Sequence, residues 1–420
     1  MRFTSVLCKY HLGRLIKHNW FRHGKQIPYE TFIEDSLAKQ GIKCADPKEF
    51  ILPFKPLAPR VVLETENFLI QRPQAMDKTH PDWHDKYCWQ FDDHELLVQG
   101  TDQAQLLTKT ILIKDSMPDK LETIMSNDCQ TTNVIDSFVE KTIKTSTIFD
   151  AEQKKLPKLK DPTRPAWNFP RVYGITHVKK ASNLSRKMLQ MCEVMCGKNM
   201  IKERQIIDDA TIQVPIVKDS ITMLLNMKID LMIASKKSPS VLTDDISIDG
   251  LSLPDLRPMA PTVGLQRKNI YQSIDMYPIA KDCEWINPHT IFFYHDPETV
   301  INLTELPVRE NQLLARSLIK SFTAGAGCAR QKYGPDFNGD LPEPLTIQCV
   351  QTNGQSFHFS VLQLNTLNIN DYSNNSKVNY WWSMPQIDLY KLSKYETGKP
   401  IFEGYNPEVF RRILAFYKNS

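Results

Sequence analysis

The spacing of apolar residues along the chain predicts both helices and strands. Apolar residues three and four positions apart predict helices over 131–145, 183–197 and 311–331, after a more helical stretch over 103–113. Shorter apolar runs predict strands over 210–217, 221–233 and 290–294. The residues expected to point inward are Val134, Ile135, Phe138, Val139 and Ile143 in the first of these helices, and Leu184, Met188, Met191, Cys192 and Met195 in the second.

The C-terminal part of the chain carries the clearest local signals. Runs over 345–351 and 355–364 are strand-like, and Asn353-Gly354 between them readily takes the positive φ angles of a type I′ turn, which predicts a β-hairpin. Asn406 is a suitable N-cap and Pro407 suits the first position of a helix, so an amphipathic helix is expected to follow. The pattern predicts an α+β fold of mixed helices and mostly antiparallel strands, with this hairpin and helix near the C-terminus.

Proline-rich stretches suggest how the chain is divided. Residues 30–100 alternate short apolar pieces with prolines, which is typical of an extended segment, and residues 151–171 form a second proline-rich stretch that we interpret as a linker. We therefore predict an N-terminal targeting segment over 1–29, an extended and helical region over 30–150, the linker over 151–171 and an α+β domain over 172–420.

Charge separates the first residues from the rest. Asp and Glu are absent before Glu30, whereas residues 1–29 hold six lysines and arginines. Apolar residues at helical spacing accompany these charges, which is typical of a mitochondrial presequence; the alternative is a basic arm that the mature protein retains. Without those six residues, 46 basic residues face 48 acidic ones, a net charge of −2. A body so close to neutral would bind RNA through local patches or be held mainly by other proteins.

Composition argues against several classes of protein. Nine irregularly spaced cysteines in so long a chain indicate reduced thiols, not a disulfide framework. The longest apolar run, over 221–234, is too short for a membrane span and is interrupted by Lys228 and Asp230. The sequence lacks a phosphate-binding loop, and Gly325-Ala326-Gly327 follows a predicted helix and lacks the third glycine of a dinucleotide fingerprint. We therefore expect no cofactor and no catalysis.

One cluster permits a metal hypothesis. His80, His84, Cys88 and His94 have a spacing that would align the first three on one face of a helix, where they could bind zinc. Pro81 disfavours that helix, and the alternation of Tyr87, Trp89 and Phe91 predicts a strand, so we expect no metal. Cys192 and Cys196, one helical turn apart, are interpreted as structural residues.

The proline-rich linker carries the best nucleic-acid signal. Its basic residues are interleaved with the aromatic residues Trp167 and Phe169, so phosphate contact and base stacking are both available. The RNA-contact candidates are Lys154, Lys155, Lys158, Lys160, Arg164, Trp167 and Arg171. The alternative is a solvated linker whose aromatic side chains pack on the body.

Four stretches in fixed order resemble a known family. They are His80-Pro81 with Asp85 and Cys88; Leu106-Leu107-Thr108-Lys109-Thr110 with Leu112-Ile113; Phe357-His358-Phe359 with Gln363-Leu364-Asn365-Thr366; and Pro407-Glu408, Phe410-Arg411, Leu414-Ala415 and Tyr417. This ordered set resembles mitochondrial large-subunit ribosomal protein thirty-seven, a family that shares ancestry with mitochondrial ribosomal protein thirty. The match is clear over 80–125 and 311–418 and weak over 150–290.

The resemblance implies a structural, non-enzymatic constituent of the large subunit of the mitochondrial ribosome, located in the matrix. It further implies contact with other large-subunit proteins, with a paralogous subunit and with large-subunit ribosomal RNA. It carries no catalytic, cofactor-binding or metal-binding residues onto this chain. The alternatives from other classes are a mitochondrial RNA-processing enzyme built on the His80–Glu95 cluster and a matrix scaffold unconnected with ribosomes.

Overall fold

The computed structural model describes residues 32–46 and 75–420, apart from 130, 150–151, 157–162, 165, 168, 171, 243–251, 301, 303–305, 372–375 and 397. The chain forms two compact units, residues 1–74 and residues 75–420. In the first unit the described residues form one short helix, α1 (Ile33–Lys39). The predicted targeting segment over 1–29 lies outside the described residues, and so do residues 30–31 and 47–74 of the predicted extended segment over 30–100.

The second unit is built from the following elements. Its helices are α2 (Thr101–Thr108), α3 (Asp119–Asp128), α4 (Asn133–Thr147), α5 (His177–Cys196), α6 (Lys198–Ile201), α7 (Glu310–Tyr333) and α8 (Pro407–Lys418). Its strands are β1 (Trp83–Asp92), β2 (Thr110–Lys114), β3 (Lys154–Lys155), β4 (Tyr173–Gly174), β5 (Arg204–Lys218), β6 (Ile221–Ser235), β7 (Gln266–Ile270), β8 (Asn287–Tyr294), β9 (Asp340–Thr352), β10 (Ser356–Thr366), β11 (Asn379–Ser383), β12 (Ile387–Asp388), β13 (Leu392–Glu396) and β14 (Lys399–Glu403).

A ten-stranded mixed sheet organises this unit. Its main path runs β2-β11-β10-β9-β8-β6-β1-β7, with β5 paired to β6 and β12 paired to β10. The pairs β1·β6, β8·β9 and β2·β11 are parallel, and the remaining pairs of the sheet are antiparallel. The predicted α+β class with mostly antiparallel strands is therefore confirmed.

Each face of the sheet buries its own apolar core, because successive strand residues point to opposite faces. In β6, Met232 packs with α2 and α7 on one face, whereas Ile233 packs with α4, α5 and α8 on the other. Strand β8 is buried along its whole length, as a central strand covered on both faces must be. The unit thus has three layers: α2 and α7, the sheet, and α3, α4, α5 and α8.

Helix α7 approaches the sheet closely where its residues are smallest. A Cβ atom at Gly325 would lie 2.8 Å from Leu364 Cδ2, and one at Gly327 would lie 2.9 Å from Ile212 Cγ2. The Gly325-Ala326-Gly327 segment is therefore helical, and its glycines serve close packing.

Most predicted elements are confirmed, with two corrections. The predicted helical stretch over 103–113 ends at Thr108, because Lys109 adopts a left-handed φ of 49° and the next five residues pair with β11. The β9–β10 hairpin is present, but its turn is not type I′. Gly354 has a φ of 91° and Asn353 is not among the residues with positive φ. Asn353 instead accepts hydrogen bonds through its side chain from the backbone N–H groups of Gln355 and Ser356.

The sheet also bears on the predicted linker. Strands β1 and β2 precede residues 151–171, yet they pair with β6 and β11, which follow them. The compact units divide at residues 74 and 75. Backbone hydrogen bonds join the chain on both sides of the proline-rich stretch into one sheet, and the role of residues 151–171 as a linker stays a prediction. Among the described residues, helices long and apolar enough to cross a membrane are absent.

Candidate functional site

The basic proline-rich segment begins and ends in a short two-stranded sheet. Lys154 pairs with Gly174 and Lys155 with Tyr173, so β3 and β4 bring the two ends of the segment together. Trp167 is 64% exposed between them. The structure therefore presents Lys154, Lys155, Arg164 and Trp167 on the surface, whereas Lys158, Lys160 and Arg171 lie outside the described residues.

Neighbouring residues that the sequence reasoning did not select modify this surface. Glu152 lies 3.5 Å from Lys154 Nζ and 3.2 Å from Lys179 Nζ. The hydrogen bond from Lys179, followed by the charge of Lys154, holds the pKa of Glu152 below its ordinary value. This carboxylate competes with any phosphate for the same two lysines. Tyr173 is exposed beside Lys155 and enlarges the aromatic surface.

A second surface feature is an apolar groove between α4 and α5, which we call the helix groove. It has a volume of about 600 Å³ and is lined chiefly by Val134, Phe138, Lys141, Lys187, Met191 and Val194. Lys187 Nζ donates to Thr145 Oγ1 at 3.1 Å, which joins the two helices at one end of the groove. Phe138 is 56% exposed and Val194 is 83% exposed. The sequence assigned Val134, Phe138 and Met191 to inward faces. The structure leaves Val134 and Phe138 exposed in this groove, whereas Met191 lines the groove and also packs, partly buried, against the core.

A buried charge cluster lies between α7 and the sheet. Lys320 Nζ contacts Asp93 Oδ1 at 2.5 Å and donates to the Lys228 carbonyl at 2.6 Å, while Arg316 donates to the Asp93 carbonyl at 2.7 Å. Burial opposes ionisation of Asp93, but the positive charges of Lys320 and Arg316 outweigh it and hold the pKa of that carboxyl below its ordinary value. Burial lowers the pKa of Lys320. No pattern in the sequence pointed to this pairing, because the partners are far apart in the chain.

Polar residues also fix the end of α8. Gln348 Nε2 donates to the Phe416 carbonyl at 2.9 Å, and His289 Nε2 lies 2.6 Å from the Asn419 carbonyl. Arg204 donates to the same Asn419 carbonyl at 2.7 Å. These donors satisfy carbonyls that a helix end leaves without internal partners. Burial lowers the pKa of His289 to about 3, so the ring is neutral and serves packing and hydrogen bonding.

The residues of the metal hypothesis are not brought together. Trp83–Asp92 is a strand, which separates the Cα atoms of His84 and Cys88 by roughly 13 Å. His84 instead stacks on Tyr271 and bonds its carbonyl at 3.0 Å, and burial raises the pKa of the Cys88 thiol. In the part of the chain that the structure describes, groups of three or more potential ligands close enough for a metal are absent. Cys192 is fully buried on α5, and burial raises its pKa well above the ordinary value.

Comparison with protein families indicates the general class of protein that this chain resembles. The family model described as mitochondrial 28S ribosomal protein S30 (PDCD9) matches residues 310–420, which hold α7, the β9–β10 hairpin and α8. The chain thus shares its C-terminal part with mitochondrial ribosomal proteins. This model carries the name of the paralogue that the ordered motifs implied.

Comparison with individual proteins narrows the similarity to one kind of mitochondrial ribosomal protein. The chain is 27% identical to large ribosomal subunit protein mL37 of Bos taurus over 349 residues, which cover 80% of this chain and 76% of the relative. It is 24% identical to the mL37 protein of Gallus gallus over 329 residues, covering 76% and 71%. It is 30% identical to the mL37 protein of Mus musculus over 168 residues, covering 38% of each. The resemblance to the mL37 family that the sequence motifs indicated is confirmed.

Proposed function

We propose that this protein is a structural constituent of the large subunit of the mitochondrial ribosome and supports mitochondrial translation. The observation that carries the proposal is the similarity to mL37 proteins over about four-fifths of the chain. The protein accordingly resides in the mitochondrion, within the mitochondrial ribosome. Its partners there are other large-subunit proteins, including a paralogous subunit, and large-subunit ribosomal RNA.

A non-catalytic role agrees with the positions of two histidines whose pKa values burial lowers strongly. The pKa values of His289 and His358 are lowered to about 3 by burial, which keeps both rings neutral. His289 is bound to the Asn419 carbonyl, and His358 lies 3.0 Å from Ser383 Oγ. Both rings therefore hold the core together. His358 lines a pocket of only about 40 Å³, which is far smaller than ordinary substrate sites.

Sedimentation tests the proposed function directly. Mitochondrial lysate is separated on a sucrose gradient, and this protein is followed by quantitative blotting alongside markers of both ribosomal subunits. We expect it to migrate with the large subunit. Recovery at the top of the gradient, or with a complex that lacks ribosomal RNA, would overturn the proposal.

We further propose that the basic segment touches ribosomal RNA locally while contact with other proteins provides the main anchor. The candidates are Lys154, Lys155, Lys158, Lys160, Arg164, Trp167 and Arg171. A body with a net charge near zero cannot release enough counterions to be held mainly by RNA. Apolar protein contacts, in contrast, lose little strength as salt rises, because ions screen charges and not buried hydrocarbon.

Salt washes of isolated large subunits test whether contact with proteins or contact with RNA is the main anchor. Changing Lys154, Lys155, Lys158 and Lys160 to Gln removes at most four phosphate contacts, so the salt slope should fall by about 3 to 4 at most on duplex-like scaling. The protein should remain bound after a moderate salt wash. A matched control changes the exposed Lys198 and Lys202 to Gln and should leave the slope unchanged. Early release of the unaltered protein with the steep slope of an ionic complex would refute the protein-anchored arrangement.

A further inference from the structure

The helix groove is a second apolar face on helices whose first apolar face is already buried. Helix α4 buries Val139 and Ile143 in the core, and α5 buries Leu184 and Cys192 there. Each helix still exposes apolar side chains on another side, including Val134 at 63% exposure. A helix that is apolar on more than one side is ordinarily covered on each of them. The groove therefore requires a covering group.

The geometry of the groove fits a third helix. Its lining residues on α4 run from Val134 to Thr145, and those on α5 run from Lys187 to Met195. Eleven helical steps span roughly 16 Å, the length of about three turns. Two adjacent helices with apolar stripes at this spacing leave the kind of depression into which an amphipathic helix packs.

Charge defines which helix would fit. Lys141 and Lys187 are the charged residues lining the groove, and the ion pairs found among the described residues involve neither of them. Carboxylates on the flank of a partner helix would meet these two ammonium groups at the rim, where water still reaches them. A second copy seated groove to groove would bring two more lysines and no carboxylate from the lining residues, which is unfavourable. RNA would need a denser array of cations than two lysines above an aliphatic floor.

We propose that the helix groove binds an amphipathic helix of a partner protein, about three turns long, that has an aliphatic stripe and acidic residues facing Lys141 and Lys187. This inference deepens the proposed function, because it gives the chemistry of one protein partner. It rests on the proposed function only in expecting that partner among the proteins of the mitochondrial ribosome. The groove can be tested in solution without the ribosome.

The first experiment measures binding of a designed peptide to the full chain by fluorescence anisotropy. The peptide has a leucine and isoleucine stripe with flanking glutamates; its control carries lysines in place of the glutamates. The glutamate peptide should bind more tightly than the control. Val194→Asp should weaken binding by at least about tenfold, because it places a carboxylate in the apolar contact.

Two further variants separate charge recognition from general effects. The double variant Lys141→Glu with Lys187→Glu should reverse the preference and favour the lysine peptide. Ile274→Asp changes an exposed apolar residue outside the groove and should leave binding unchanged. Thermal unfolding of each variant verifies that it is folded. Equal binding of both peptides, or insensitivity to Val194→Asp, would overturn the proposal, as would self-association or RNA binding that Val194→Asp abolishes.

The second experiment identifies the occupant in the assembled particle. A photo-crosslinking phenylalanine analogue replaces Phe138, and large subunits are irradiated after purification. A cross-link to an apolar and acidic helix of another ribosomal protein supports the proposal, whereas a cross-link to RNA, to this chain itself or to nothing overturns it. Failure of the proposed function would be seen separately, as absence of the protein from the large-subunit fraction before irradiation.

Discussion

The charge cluster beneath α7 makes a sharp prediction about Asp93. Asp93→Asn keeps the shape of the side chain but removes the charge that faces Lys320 and Arg316. Lys320 is only 2% exposed and cannot turn to water, so the variant leaves a buried ammonium group without the carboxylate that contacts it, with only the more distant charge of Asp230 to favour it. Removing one partner of a buried pair commonly destabilises a protein by about 3–5 kcal/mol.

The structure places this variant at the lower end of that range. Lys320 keeps its hydrogen bond to the Lys228 carbonyl, and the Asp93 side chain is 34% exposed, so water already screens part of the attraction. We therefore expect a loss of about 3 kcal/mol in the free energy of unfolding. The replacement Lys320→Met should cost less, because it removes the buried charge and leaves a carboxylate that can reach water.

Urea unfolding followed by tryptophan fluorescence measures these differences as shifts of the midpoint at constant slope. The matched control is Asp208→Asn, which breaks a 2.9 Å pair with Arg186 on the surface and should change stability by less than about 1 kcal/mol. The effect of Asp93→Asn should also shrink in acid. Because the folded pKa of Asp93 is lowered, its contribution is present above the unfolded pKa and is lost as pH falls through the folded value. Equal losses for Asp93→Asn and Asp208→Asn would refute the reasoning.

Three other expectations follow from described contacts. His289 and His358 have pKa values of about 3 in the folded protein. Between roughly pH 6 and 4 these histidines therefore take up protons only in the unfolded chain, whose histidine pKa is about 6.5. The free energy of unfolding should fall by about 1.4 kcal/mol per pH unit for each ring as the pH is lowered over this range. An acid titration of the urea midpoint that stays flat over this range would contradict the expectation. Gly327→Val should cost about 2 kcal/mol because its side chain would meet Ile212, whereas Gly339→Val, with nothing near its Cβ, should cost much less; equal urea midpoints would exclude close packing as the cause. Asn406→Ala should lose about 1 kcal/mol by removing the bond from Glu408 N–H, and Asn406→Asp should restore most of it in the same assay.

The sequence was informative wherever short-range signals decide the structure. Asn406 caps α8 as expected, with its side chain accepting from the backbone N–H of Glu408. The strands β5 and β6 and the helices α4, α5 and α7 lie where apolar spacing placed them. Their ends differ from the predicted ones by no more than six residues, as at the start of α5 and of β5. Local periodicity is sufficient for these elements because each one buries a face that repeats along its own sequence.

Tertiary pairing could not be predicted in the same way. The spacing of α4 grouped Val134, Phe138, Val139 and Ile143 on one inward face, yet only the last two are buried in the core. Periodicity shows that a helix has an apolar face. It does not show how much of that face other parts of the chain cover. The helix groove is the part of the apolar surface of α4 and α5 that the core does not cover, and for that reason only the structure reveals it.

The parallel pairing of β2 with β11 has a consequence for how the protein is made. Ile111 pairs with Tyr380, so a strand formed early in the chain waits for a partner 269 residues later. Such distant pairing costs loop-closure entropy before it yields stabilisation, and it is slow to form. Until then the apolar run Ile111, Leu112 and Ile113 offers unpaired backbone groups to any other chain. The yield of correctly folded protein therefore depends on whether β2 pairs with its own β11 before it pairs with a strand of another chain. We expect a higher yield at low protein concentration, or with a chaperone that holds the N-terminal strand until the C-terminal strand is available.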